Sequence, residues 1–223
     1  MSRTLGSRIL AASRWVDRGV NLLKWPVALV AAYLLPKCFF ALLGELKGVL
    51  GSPIKVFPLV AGFAGYLGLW WAWLRRRPFG TFFSTLEHEL THALFALLTL
   101  HPVTGLSATW SRGGRMYYRG DGNWLVAIAP YFFPTAAVAV LLVSAFLKQE
   151  WQPAAQGVLG VALGYHLTST FAETHAGQTD LKIVGWPFAL LFLPAANLIA
   201  FGIVLSFSLG GTSRVAEFLS QLK

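Results

Sequence analysis

The chain has 223 residues, 56% hydrophobic and only 12% charged, where a soluble domain carries about 25% charged residues. With a mean hydropathy of +0.60, this composition excludes a disordered chain, a disulfide scaffold and a soluble nucleic-acid binder, and it indicates a polytopic membrane protein. The net charge of +9 fits that class, because the basic residues gather between apolar stretches, where they set topology and meet lipid headgroups.

Residues 1–24 lack the apolar centre of a signal peptide. Leu5, Ile9, Ala12, Val16, Val20 and Leu23 fall on one helical face, with Arg3, Arg14 and Arg18 opposite. This predicts a basic amphipathic helix lying on an anionic membrane surface; the plainer alternative is a basic flank of the first span. Apolar runs follow at 25–44, 54–74, 79–100, 123–147, 154–172 and 183–208. Each is near the ~20 residues that cross the hydrocarbon core. The expected fold is therefore an all-α polytopic membrane protein of about six transmembrane helices, with 209–223 as a C-terminal tail. Trp25, Trp70, Trp71, Trp73, Trp124, Trp151 and Trp186 stand near the ends of these runs, as an interfacial belt would. Arg75, Arg76 and Arg77 separate the second run from the third. The larger share of basic residues falls on the N-terminal side of the membrane, which puts the N-terminus in the cytoplasm, with a bacterial inner membrane as the expected location. Cys38, the single cysteine, lies in an apolar run and cannot form an internal disulfide.

Residues 105–119 break the helical pattern. Leu106, Ala108 and Trp110 alternate with Ser107, Thr109 and Ser111, then Arg112-Gly113-Gly114 intervenes, then Met116 and Tyr118 alternate up to Arg119. Period two, a glycine turn and period two again predict a β-hairpin, the alternative being a polar loop. A free hairpin edge can pair with an extended peptide.

The chemistry concentrates in His88-Glu89-Leu90-Thr91-His92. Histidines at i and i+4 share one helix face, so both imidazoles can reach one Zn²⁺. Glu89 points away from that pair and can act as general base on a metal-activated water. Ionisable groups in a membrane-length helix are costly and usually functional. Thr81, Ser84, Thr85, His88, Thr91 and His92 form a polar stripe, and Phe82, Phe83, Leu86, Leu90, Ala93, Leu94 and Leu97 cover the other side. A third ligand is needed. The dense stretch 166–180 offers His166, Glu173, His175 and Asp180. Asp17 and Asp121, the other aspartates, lie on the N-terminal helix and at the hairpin exit, and His101 reads as an ordinary interfacial histidine.

A membrane helix with H-E-x-x-H, then a hairpin, a further helix and a late aspartate resembles the site-2 protease family of intramembrane zinc metalloproteases over about residues 79–190. The first two spans and the last are similar to additions around that core. The resemblance implies Asp180 as third ligand, in the order Gly177-Gln178-Thr179-Asp180, and Gln178 as a holder of the substrate backbone. The family's N-P-D-G pattern differs here at Gln178, Thr179 and Leu181. His166, His175 and Glu173 remain alternatives for the third ligand. Hydropathy puts Asp180 near the outer surface and His88 about 14 Å deep, so residues 173–182 would have to dip into the bundle. The implied activity is zinc-dependent hydrolysis of peptide bonds in membrane-anchored protein substrates, with one Zn²⁺ per chain and Glu89 as catalytic base. The alternatives are a non-proteolytic metal-binding membrane protein, a pseudoprotease scaffold, or a zincin trimming lipidated peptides with Glu173 as ligand.

Overall fold

The computed structural model describes the backbone of residues 2–76, 78–110 and 113–223. Arg77, Ser111 and Arg112, and the side chains of Arg3, Leu5, Arg76 and Thr81, lie outside the described residues. The chain folds as α1 (Ser2–Leu22), α2 (Lys24–Gly51), α3 (Pro53–Ala72), α4 (Pro78–Leu98), β1 (Val103–Ala108), β2 (Gly114–Tyr118), α5 (Trp124–Ile128), α6 (Thr135–Ser144), α7 (Gln152–Glu173), α8 (Thr179–Val184) and α9 (Trp186–Ser220). Helices dominate because a chain this apolar must pair its backbone groups within each segment when water is absent. Its outer surface is correspondingly greasy: Leu29, Phe40, Ile54, Phe146 and Phe171 are all exposed.

Among the described residues, α2, α3 and α9 are long and apolar enough to cross a membrane, and α5 with α6 makes a fourth candidate if the bent pair counts as one span. The expected count of about six is thus not reproduced. Helices α4 and α7 have the length, but their polar residues, Glu87, His88, Glu89 and His92 on one and His166 and Glu173 on the other, lower their hydropathy. The run 123–147 is a broken element, bent by 77°. The cause is local. Pro130 sits in a 3₁₀ turn, Ala129–Tyr131, and Pro134 precedes α6, so two backbone donors are missing where a continuous helix would need them.

Two pairings build the body. α3 and α7 meet backbone to backbone: a Cβ on Gly160 would come within 2.0 Å of the Leu59 carbonyl oxygen, and one on Gly62 within 2.0 Å of that of Gly157. Small residues at a helix interface allow this approach in a bilayer. α2 packs along α9 around Ala28, Cys38, Ala41, Phe188 and Ala195. Residues 209–223 are not a loose tail. The helix kinks at Gly210 and Gly211, the latter at φ 68°, and its last turns double back so that Phe218 is fully buried against Gly202. Arg214 then reaches the buried Glu45 of α2 at 3.1 Å.

The hairpin forms as expected: β1 and β2 pair antiparallel, with Leu106 opposite Met116 and Ser107 opposite Arg115. Met116 and Tyr118 pack toward Phe95 and Ala96 of α4, which lays the hairpin along the helix that carries the histidines.

Candidate metal centre

α4 presents His88 and His92 on one face, both buried, while Phe83, Leu90 and Leu97 stay exposed on the other. The two Nε2 atoms lie 3.1 Å apart. Asp180 Oδ2 lies 3.4 Å from each. A tetrahedral zinc with ligands at about 2.0–2.1 Å has ligand–ligand edges of roughly 3.3–3.4 Å, so this triangle has the right size. The far ring nitrogens are already committed. His88 Nδ1 donates to Glu173 Oε2 at 2.6 Å, and His92 Nδ1 donates to the Val126 carbonyl at 2.7 Å. Such bonds set the tautomer that leaves each Nε2 lone pair free for a metal. The donor chemistry, two imidazoles and a carboxylate, therefore fits a divalent zinc with one position open.

Asp180 is delivered by α8, a short helix anchored by the buried Leu181 and Val184. Tyr131 Oη donates to Asp180 Oδ2 at 3.3 Å, and its ring meets His88 edge-on at 5.3 Å. The expected dip of residues 173–182 takes a simpler form. α7 ends at Glu173, already in contact with His88 and with the Ser84 hydroxyl, so only the short stretch 174–178 separates that level from Asp180.

A cavity of about 740 Å³ opens on this cluster, bounded by α4, by residues 113–118, by α5 and by the end of α7. Glu89, Gln178 and Asp180 line it. Strand β2 passes close to Glu89: a Cβ on Gly114 would lie 2.5 Å from Glu89 Cγ and 2.6 Å from Thr85 Cγ2. Only a glycine lets the strand backbone run this near the carboxylate. Since β1 occupies one edge of β2 in a two-stranded sheet, no strand among the described residues pairs with the other edge.

The remaining candidates sit elsewhere. His166 is buried on α7 beside Phe201, away from the triangle. His175 is exposed and accepts from the Gly177 amide. Glu173 holds the far nitrogen of His88 and lies outside the triangle of metal-facing atoms. His101 is not an interfacial histidine: it is fully buried, bonded to Asp17 and to Thr99. Tyr131 was not anticipated from the sequence; inside an apolar run its hydroxyl gives no periodic signal.

Neither the search of curated proteins nor that of solved structures found a match to the chain. Residues 58–211, more than half of its length, match the Peptidase M50B-like family. The matched segment contains the histidine pair, the hairpin, Tyr131, Glu173 and Asp180, so the chain belongs to this branch of the site-2 protease family, which points to a membrane metalloprotease.

Proposed function

We propose that this protein is an intramembrane zinc-dependent endopeptidase that hydrolyses peptide bonds of membrane-anchored protein substrates. The observation that carries the reading is the His88, His92 and Asp180 triangle opening on the same cavity as Glu89. His88, His92 and Asp180 hold the metal, one ion per chain, while Glu173 and the Val126 carbonyl orient the two imidazoles. Bound there, zinc supplies Lewis acidity toward the scissile carbonyl.

The chain's own residues perform the remaining work. Glu89 takes a proton from the attacking water and returns it to the leaving amine. A helical substrate hides its carbonyls in its own hydrogen bonds, so the cleaved segment must first unwind. The open edge of β2 receives it as an added strand, which brings its backbone past Gly114 toward Glu89. Gln178, at the cavity wall, offers an amide to the same backbone. The apolar exterior supports a membrane location.

The test is zinc per chain by elemental mass spectrometry, together with cleavage of a membrane-anchored reporter. Wild type is expected to carry one zinc per chain. Glu89→Gln is expected to keep the metal and lose about 10²–10⁴-fold in rate, the range for a general base. Cleavage by Glu89→Gln at the wild-type rate would end this reading, and zinc with no cleavage by either form would favour a scaffold.

A further inference from the structure

Helix α1 lies outside the segment that matches the family, yet it is connected to the metal centre. Along α1, Ser13 and Asp17, one turn apart, are buried, while Trp15 and Leu22 are exposed. A helix that turns a polar stripe inward must find partners there. Asp17 finds two. Its Oδ2 accepts from His101 Nε2 at 3.0 Å, and its Oδ1 accepts from Asn123 Nδ2 at 2.7 Å. Asn123 in turn caps α5: its Oδ1 accepts from the Leu125 and Val126 amides at 3.1 and 3.2 Å. The Val126 carbonyl then accepts from His92 Nδ1 at 2.7 Å.

The attachment is reinforced next door. The Trp124 amide donates to Asn21 Oδ1 at 3.2 Å, and the Trp124 indole donates to the Val20 carbonyl at 2.5 Å. Gly120 brings the hairpin exit close to His101, where a Cβ would stand 2.6 Å from the ring. α5 has only five residues, so its position depends on its cap and its neighbours more than on its own ladder.

We infer that Asp17 is a positioning residue for the metal centre, acting through Asn123 and α5 to fix the carbonyl that orients His92. The inference rests on the metal-site reading above. It makes α1 a working part of the site: this helix sets how firmly His92 is held. The two bonds to Asp17 come from buried groups, and a neutral amide at position 17 keeps that connectivity with weaker bonds than the carboxylate makes. Asparagine at 17 keeps an oxygen for Asn123, and His101 can adopt its other tautomer toward Thr99. Alanine at 17 cuts the connection. Serine at 123 still caps α5 but is too short to reach Asp17.

The experiment uses the full chain in detergent. Zinc affinity is measured by competition with a chelator, and the His92 tautomer is read from ¹⁵N spectra of the histidine-labelled, metal-free protein, with melting curves confirming folding. Asp17→Ala and Asn123→Ser are expected to weaken zinc binding by about 10–100-fold, the range for partners behind a ligand, and to mix the His92 tautomers. Asp17→Asn is expected to bring both most of the way back toward wild type. Unchanged affinity and tautomer in Asp17→Ala and Asn123→Ser, or an Asp17→Asn as impaired as Asp17→Ala, overturns the inference. A wild type that binds no zinc would overturn the metal reading instead, and the metal-free spectra would still decide whether Asp17 governs His92.

Discussion

His88 and His92 reach one point because of helix geometry alone, which is why their spacing could be read directly from the chain. Asp180 is 92 residues away from His88, and no local period connects them; only the resemblance singled it out. Glu173 was legible as an acid in a dense polar stretch, but its role depends on where α7 stops, which hydropathy does not encode. The different placements of these residues have separate consequences. Asp180→Ala is expected to abolish stoichiometric zinc binding. His175→Ala, which changes an exposed ring bonded to its own loop, is expected to leave zinc at one per chain. Elemental analysis of the two variants decides between Asp180 and His175. A zinc-free His175→Ala beside a zinc-loaded Asp180→Ala would reverse the assignment.

Among the elements, the hairpin was the most legible, since period two and a glycine turn leave few alternatives. The break between α5 and α6 was not, because hydropathy counts apolar residues without regard to backbone donors, and Pro130 and Pro134 are apolar in that count. Yet the break matters for the site: α5 ends where the chain turns, which leaves the Val126 carbonyl beside His92 and Tyr131 beside Asp180. The placement of β2 against α4 gives a prediction. Gly114→Ala is expected to push the strand away from Glu89 and Thr85, lowering the cleavage rate at least tenfold while zinc content stays at one per chain. Gly105→Ala, on β1, meets only Tyr117 at an ordinary 3.5 Å and is expected to cleave at close to the wild-type rate. Equal rates for the two variants would show that closeness of the strand to Glu89 is unimportant.

Over the whole molecule, membrane class followed from composition, whereas the way the chain closes on itself did not. Residues 209–223 are polar enough to be taken for a tail, but Phe218 and Leu222 join the same apolar cluster as Trp124, Tyr131 and Leu181. That cluster takes in residues of α5 and α8, the elements beside the candidate metal centre, so the C-terminal turns pack into the same core on which α5 and α8 rest. A methyl group at position 202 would come within 2.0 Å of the Phe218 ring. Gly202→Ala is accordingly expected to cost about 1–3 kcal/mol, as overpacking does, and to speed proteolysis within 212–223. Unaltered protease resistance in that variant would mean that the fold-back is dispensable.

The unpaired edge of β2 bears on turnover as well as on capture. A peptide lying along it as a third strand is held by a ladder of hydrogen bonds shared over its length. Cutting that peptide near the middle divides the ladder, and each fragment keeps only its own rungs. Because the retention of a strand falls off exponentially with the bonds it loses, the proposed reaction would turn a tightly held substrate into two more weakly held products. On the proposed reading, cleavage along this edge would therefore weaken the hold on both fragments.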